Sequence, residues 1–157
     1  MKVIEISGND KRLGFTLTEI MIVVAIIGLL SVIAVPSYLR ARETSQLTAL
    51  QNDLRIYVDA FQTYFLENNA YPPDNVPGAF PAEMDGYIKS VVWLEGPPCG
   101  GRYEWHYCGG YSEFMIAIHN CANSTVMMQF DERVDDGNLN TGLFIGNGGI
   151  YYWRFEQ

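Results

Sequence analysis

Almost every residue from 15 to 35 is apolar, and this block near the start of the chain is its strongest pattern. Its length matches the roughly 20 residues, rising about 1.5 Å each, that a helix needs to cross the apolar layer of a bilayer. A secretory signal peptide would have a shorter apolar core that closes in a small-residue cleavage site. The block therefore predicts a transmembrane helix.

Beyond the block the composition turns polar, but apolar residues recur at three- and four-residue spacing. This spacing predicts an amphipathic helix that buries one face under a sheet. Asn68 and Asn69, followed by the pair Pro72 and Pro73, predict that the helix ends near residue 68. The predicted buried stripe comprises Leu47, Leu50, Leu54, Tyr57, Phe61, Tyr64 and Phe65.

In the second half of the chain, apolar and polar residues alternate, as in half-buried strands. Gly110 and Tyr111 suit a two-residue turn between two of these strands. That turn sets a register in which the apolar faces coincide, pairing Tyr107 with Phe114, Trp105 with Ile116, and Tyr103 with Ile118. The pattern predicts a β-hairpin.

Further strands are predicted at residues 126–131, 143–145 and 150–155, with a turn at residues 147–149. Residues 75–98 read as a loop, with one helical turn near residues 82–88 and a short strand near Val91. The predicted fold class is α+β: a long N-terminal helix, half transmembrane and half amphipathic, packed on a small antiparallel sheet.

Three cysteines follow the apolar block, so one is left without a partner if two of them form a disulfide. The hairpin register places Cys121 opposite Gly100, one residue away from Cys99. A bulge at Gly100 and Gly101 would absorb the extra residue. We therefore predict a disulfide between Cys99 and Cys121, with Cys108 free or half-buried.

Two residues interrupt the apolar block and its continuation. Glu19 is an ionisable group inside the predicted membrane segment, where its charge needs compensation; the alternative is that it reaches the interface and stays hydrated. Pro36 removes one backbone donor and crowds the carbonyl of Val32, which predicts a bend. A kink without further meaning is the alternative at this position.

The string Gly14-Phe15-Thr16-Leu17-Thr18-Glu19, followed by the apolar block and Pro36, resembles the N-terminus of type IV pilins and of type II secretion pseudopilins. The resemblance implies that prepilin peptidase cuts between Gly14 and Phe15 and N-methylates Phe15. It also implies that Glu19 meets the terminal amine of a neighbouring subunit during filament assembly, and that Pro36 lets the helix loosen and pack.

The resemblance divides the chain into a leader peptide (residues 1–14), a transmembrane and assembly helix (residues 15–37), and an amphipathic helix with a pilin-like head (residues 38–157). It implies a single-pass inner-membrane protein whose head lies in the periplasm. The implied partners are other pilin or pseudopilin subunits, prepilin peptidase and an inner-membrane assembly platform. In this family a disulfide often lies nearer the C-terminus than the one predicted here.

The charge balance and the histidines argue against two other classes of function. The net charge is −8, and loss of residues 1–14, which carry three cations and two anions, leaves about −9. Nucleic-acid binding is therefore not expected. In the hairpin register His106 and His119 stand about 13 Å apart along the strands, too far to share a metal ion. The sequence contains no catalytic constellation, so enzyme activity is not expected.

An acidic segment near the C-terminus is the one candidate cofactor site. Its oxygen ligands Asp131, Asp135, Asp136 and Asn138 are dense enough to hold calcium, and the resemblance implies such a site because major pseudopilins bind calcium in a C-terminal loop. The segment lacks the spacing of a known calcium loop, however, and Asp136-Gly137 is an ordinary turn signal. A solvated hairpin turn without a cofactor is therefore the main expectation.

Together these features predict a structural subunit of a type II secretion pseudopilus or a type IV pilus, processed by prepilin peptidase and polymerised from the inner membrane. The alternative is a minor pilin that acts as a binding module at a filament tip or surface. The aromatic residues that suggest it are Trp93, Tyr111 and Trp153.

Overall fold

The computed structural model describes residues 14–108, 113–121 and 124–155. The predicted turn at Gly110 and Tyr111 and the predicted leader, apart from Gly14, lie outside the described residues. The chain divides into two compact units, Met1–Arg40 and Ala41–Gln157. Helix α1, Leu17–Asn68, contributes to both.

Helix α1 ends where the asparagines predicted. Asn69 has a left-handed backbone with φ 55°, and its N–H donates to the carbonyl of Phe65 over 2.7 Å. Five of the seven residues in the predicted apolar stripe are buried, namely Leu47, Leu50, Leu54, Tyr57 and Phe61. Tyr64 and Phe65 lie at its margin. This half of α1 is therefore held by the core of the second unit.

Four antiparallel strands form one sheet in the order β1-β2-β4-β3. Their bounds are β1 Arg102–Cys108, β2 Glu113–His119, β3 Phe144–Asn147 and β4 Ile150–Arg154. The hairpin pairs Tyr107 with Phe114, Trp105 with Ile116 and Tyr103 with Ile118, so the predicted register is confirmed. The predicted α+β class, with one long helix and a small antiparallel sheet, is confirmed as well.

One row across the sheet carries the core. Trp105, Ile116, Trp153 and Phe144 are neighbours in the register and share a face. Phe61 of α1 stacks on Trp105 with ring centroids 3.9 Å apart. At the other end of the row, Phe130 meets Phe144 at 5.0 Å. The helices thus cover one face of the sheet, and the opposite face carries the buried Glu104 and the half-buried His106.

The predicted strand at residues 126–131 is wrong, because this segment belongs to helix α3, Ser124–Val134. A period of two would have placed Met128 inward, but Met128 is 51% exposed. The buried residues are Met127, Phe130 and Asp131, spaced as one face of a helix. The predicted hairpin turn after this segment is therefore also wrong, since the acidic loop follows a helix.

The short strand predicted near Val91 is likewise wrong. Residues Ser90–Glu95 form helix α2, which ends at Gly96 with φ 80°. Trp93 decides the local structure: it is buried against Tyr57, and its indole N–H donates to the carbonyl of Ala79 over 2.8 Å. The helical turn predicted nearby is present as a short 3-10 helix, Ala82–Met84.

Cys99 and Cys121 form a disulfide with their Cα atoms 5.2 Å apart, in the pairing that the register predicted. The chain leaves the β1 ladder through Gly100 and Gly101, whose φ angles are 88° and 100°. A side chain on Gly101 would collide with the backbone carbonyl of His119. The glycine pair therefore permits the close approach that the disulfide needs. The side chain of Cys108 lies outside the described part of the chain.

Candidate assembly and cation sites

The N-terminus of α1 is closed by a reciprocal pair of side chains. The backbone N–H and the hydroxyl of Thr16 both donate to Oε2 of Glu19, over 2.8 and 2.7 Å. The N–H of Glu19 in turn donates to the Thr16 hydroxyl over 3.3 Å. This is a capping box, which satisfies donors that the first turn of a helix leaves unpaired. The sequence analysis identified Glu19 as important but did not predict that Thr16 is its capping partner, although T-x-x-E spacing is typical of a capping box.

The side chains that follow this cap are uncovered. Every large apolar residue from Phe15 to Leu39 is at least 49% exposed. The mean hydropathy of α1 reaches 2.7 over an 18-residue window, so the helix is long and apolar enough to cross a membrane. Glu19 is the only residue in this stretch that is charged at neutral pH. The exposed apolar side chains of this stretch must therefore be covered by lipid or by other apolar helices.

The glycine at the predicted cleavage position is not required by the fold. A Cβ added to Gly14 would meet nothing within 4 Å, and the same holds for Gly28 inside α1. Phe15 next to Gly14 is 84% exposed. The predicted cleavage point is thus accessible, and its glycine has no packing role among the described residues.

Pro36 lies inside α1, which continues on both sides of it. The proline leaves the carbonyl of Val32 without the usual backbone donor. The neighbouring Ser37 donates its hydroxyl to the carbonyl of Ile33 over 3.1 Å, and Ser31 donates to Ile27 over 2.7 Å. Such side-chain bonds accompany helix bending. The bend at Pro36 and its role in packing remain predictions.

Three carboxylates converge where α3 ends. One oxygen from each of Asp131, Asp135 and Asp136 lies within 4.8 Å of the other two. Asp131 is fully buried, and neither of its oxygens accepts a hydrogen bond from the described residues. Burial, followed by the charges of Asp135 and Asp136, raises the pKa of Asp131 to about 6. A buried carboxylate in this position lacks the partner that a cation would provide.

The two outer carboxylates are held by the loop itself. Asp135 Oδ2 accepts the backbone N–H groups of Leu143 and Phe144, the latter over 2.9 Å. Asp136 accepts the Thr141 hydroxyl and the N–H of Asn138, which lower its pKa. A side chain on Gly142, whose φ is 83°, would collide with the Asp135 carboxylate. Asn138, the fourth predicted ligand, accepts the N–H of Asn140 over 3.2 Å.

Residues 9–35 match the family model described as the prokaryotic N-terminal methylation motif. The chain is 32% identical over 104 residues to type II secretion system core protein G of Pseudomonas aeruginosa, which covers 59% of this chain and 71% of that protein. The chain belongs to the type IV pilin and type II secretion pseudopilin family. It is accordingly a structural subunit of a filament, as the N-terminal residues predicted.

Two further likenesses lie within this pilin family. The chain is 39% identical over 80 residues to fimbrial protein EcpC of Eikenella corrodens, a match that covers 50% of this chain and only about half, 52%, of that protein. The structure of the major type IV pilin PilA1 from Clostridium difficile matches with a TM-score of 0.52 at 15% identity, covering 71% of this chain and 95% of that one. The second likeness shows the pilin fold alone.

The aromatic residues that suggested a binding module are placed differently by the structure. Trp93 is buried in the core, so it is not available to a surface ligand. Trp153 is half-buried on the helix-covered face of the sheet. Tyr111 lies outside the described residues.

Proposed function

We propose that this chain is a pseudopilin that enters the inner membrane as a precursor, is cut between Gly14 and Phe15, is N-methylated on Phe15, and polymerises through α1 with its head in the periplasm. The exposed apolar surface of residues 15–39 carries the proposal. Moving one large apolar side chain out of water is worth about 1.5 to 3 kcal/mol, so this surface favours insertion into lipid. Association with neighbouring helices in the membrane then depends on side-chain packing and polar contacts. The partners are other family subunits, prepilin peptidase and an assembly platform.

Glu19 gives this assembly its register. In the single subunit its carboxylate is satisfied by Thr16 of the same chain. A free amine on Phe15 of a neighbouring subunit would add a cation, and charge-assisted hydrogen bonds are stronger than neutral ones. Apolar helices alone pack in many alignments, whereas a paired charge selects one of them.

Complementation separates a pseudopilin from a pilin. The gene is expressed in one Pseudomonas aeruginosa strain that lacks core protein G and in another that lacks its major pilin, and secretion and surface filaments are measured. We expect restored secretion, because the match to core protein G covers 71% of that protein. Glu19→Ala should abolish the rescue. Glu43→Ala, which removes an exposed carboxylate of α1 beyond the apolar stretch, is the matched control. Rescue by Glu19→Ala would overturn the pairing role.

We also propose that Asp131, Asp135 and Asp136 hold calcium, the hard cation for which carboxylate oxygens are the usual ligands. The buried, unpartnered Asp131 supports this second proposal. Calcium would offset the repulsion among three carboxylates and fix the loop between α3 and β3. The bound ion supplies charge compensation and no reaction.

Thermal melting of the full chain in detergent tests the calcium site. With calcium in place of a chelator at pH 7.5, the melting temperature should rise by several degrees, since a ligand at 100 times its Kd contributes about 2.7 kcal/mol. Asp136→Asn should remove most of the increase. Glu132→Gln, which changes an exposed carboxylate of α3 outside the group, should keep it. An unchanged melting temperature in the wild-type chain would remove the proposal.

A further inference from the structure

A groove of about 330 Å³ lies on the head between α1 and the segment that leads into α2, and we call it the α1–α2 groove. It is lined by Asp53, Ile56, Tyr57, Tyr87, Ile88, Lys89 and Val92. Its walls are largely apolar and uncovered, since Ile56 is 49% exposed and Val92 is 40% exposed. Val91 and Leu94 of α2 are exposed as well. An uncovered apolar surface bordered by charged residues is typical of a protein contact site.

Two polar groups of this groove are incompletely paired among the described residues. The Tyr57 side chain is buried, and its hydroxyl has no hydrogen-bond partner there. Asp53 is half-buried, and its Oδ2 accepts a hydrogen bond from the Tyr103 hydroxyl over 3.2 Å. Burial raises the pKa of the Asp53 carboxyl, although the bond from Tyr103 opposes that shift. A cation placed beside Asp53 would favour its charged form and offset the desolvation.

The chemistry of the groove suits an arginine side chain. Apolar walls can cover the hydrocarbon stem, and a guanidinium carries enough donors to serve both the Asp53 carboxylate and the Tyr57 hydroxyl. A guanidinium is also more weakly hydrated than the ammonium of lysine, so it loses less on entering a partly buried site. Lys89 lines the groove but forms no ion pair with Asp53 in the part of the chain that the structure describes. The cation must therefore come from another molecule.

The head carries an arginine at the edge opposite the groove. Helix α2 lies over β1, where Trp93 packs on Tyr103 with ring centroids 5.4 Å apart, and α3 lies over β3 through Phe130 and Phe144. Strands β1 and β3 are the two outer strands of the sheet. Arg133 lies in the last turn of α3, where it is exposed and has no ion-pair partner among the described residues. The remaining exposed cations of this unit lie on α1, in the groove or on β1, and they are Arg42, Arg55, Lys89 and Arg102.

We propose that Arg133 of one subunit enters the α1–α2 groove of the next subunit and pairs with Asp53. The inference rests on the proposed filament function and names a contact between its heads. Two different surfaces at opposite edges make a contact that repeats from copy to copy, as a filament requires, whereas a self-complementary surface gives a closed pair. Glu132 beside Arg133 is exposed, and Lys89 lines the groove, so each side of the contact carries one cation and one carboxylate. Such complementary charges fix the orientation of the two heads.

An exchange of charges in the full chain tests the contact. The chain and its variants are expressed in the Pseudomonas aeruginosa strain that lacks core protein G, and the subunits recovered in sedimented filaments are measured. We expect Asp53→Arg and Arg133→Glu each to lower the filament yield about tenfold, because like charges then meet. The chain with both changes should recover the wild-type yield. Arg102→Glu is the matched control, since it reverses an exposed cation outside the contact, and it should neither lower the yield nor rescue Asp53→Arg.

Cross-linking decides the contact without altering Asp53. In a chain that carries Cys108→Ser, Val92→Cys at the groove and Glu132→Cys beside Arg133 place thiols at two exposed positions on the two sides of the contact. A thiol-specific cross-linker should join assembled subunits into a ladder of oligomers when both cysteines are present. Either cysteine alone should give no ladder.

The outcomes separate this contact from the filament function on which it rests. Wild-type yield in Arg133→Glu, or the absence of the ladder from assembled wild-type-length filaments, would overturn the contact while leaving the filament function in place. A loss of yield confined to Asp53→Arg would indicate a different occupant of the groove and would overturn it too. If the unaltered chain formed no filaments, the proposed function would fail and the contact with it.

Discussion

Glu19 accepts both the backbone N–H and the hydroxyl of Thr16, so the residue implicated in assembly also caps its own helix. The two uses compete for one carboxylate. In the proposed assembly, a subunit in the membrane keeps the carboxylate bound to Thr16, and the terminal amine of an arriving subunit would replace or share that contact. The cap therefore lowers the cost of carrying an ionisable group in an apolar segment before assembly.

Thr16→Val should loosen the start of α1. The change keeps the shape of the side chain but removes the hydroxyl, and loss of such a cap costs about 1 kcal/mol. Amide hydrogen exchange over the first turn of α1, measured in detergent, should become roughly fivefold faster. Thr16→Ser retains the hydroxyl and should exchange at the wild-type rate. Equal rates in all three chains would show that the cap does not hold the helix start.

Gly14→Val should block processing without disturbing the fold. A Cβ at this position meets no atom within 4 Å, so the larger side chain has room, and any loss must come from the peptidase. Intact mass spectrometry of the membrane fraction should find the precursor with residues 1–14 attached. Gly28→Ala is the matched control, since its added methyl also meets nothing within 4 Å. Efficient cleavage of Gly14→Val would contradict the assignment of the cleavage site.

Removal of the disulfide should destabilise the head. Cys99→Ala with Cys121→Ala opens a loop of 22 residues, for which chain entropy predicts a loss of about 3 kcal/mol. Urea unfolding in detergent, followed by tryptophan fluorescence, measures this loss. Cys108→Ser should keep the wild-type midpoint. A non-reducing peptide map that joined Cys108 to either of the other two cysteines would contradict the pairing itself.

When calcium is absent, the free energy of unfolding should vary with pH because Asp131 changes its protonation state. Burial raises the pKa of Asp131 to about 6, so the folded state favours its protonated form. The resulting stability is full below the ordinary Asp pKa of about 4 and is lost as the pH rises through about 6, a change on the order of 3 kcal/mol.

Urea unfolding in chelator at pH 4 and pH 7 measures this contribution. The fall in stability between the two pH values should be smaller in Asp131→Asn than in the wild-type chain. Glu132→Gln should behave like the wild type, because it changes an exposed carboxylate one residue away. Calcium should restore stability at pH 7 and have little effect at pH 4. The same pH profile for Asp131→Asn and the wild type would refute the role of Asp131.

The sequence predicted the fold best in segments where the spacing of apolar residues matched only one type of secondary structure. The helical stripe from Leu47 to Phe61 and the alternation around Trp105 and Ile116 each had a single interpretation, and both were confirmed. The hairpin register then brought Cys99 close to Cys121. These features follow from local spacing, which a chain carries in its residue order.

Predictions failed where tertiary contacts outweighed local preference. Residues around Val91 and Val126 have β-branched or apolar side chains that suit strands, yet both segments are helical because Trp93, Met127 and Phe130 pack into the core from helices. The burial of Asp131 was not predicted for the same reason, because it depends on the helical structure of its segment. The approach of His119 and His106 to Glu104 depends on how far side chains reach across strands, which spacing along the chain does not show.

Asp135 also determines where an edge strand begins, because its Oδ2 receives the N–H groups of Leu143 and Phe144 at the start of β3. The outer edge of β3 is partly occupied, since the N–H of Gly146 donates to the carbonyl of Leu139. Disorder in the acidic loop would release both contacts and expose unpaired backbone groups. An open strand edge invites pairing with other chains. Loss of the proposed calcium ion would thus promote aggregation of subunits before they reach the filament.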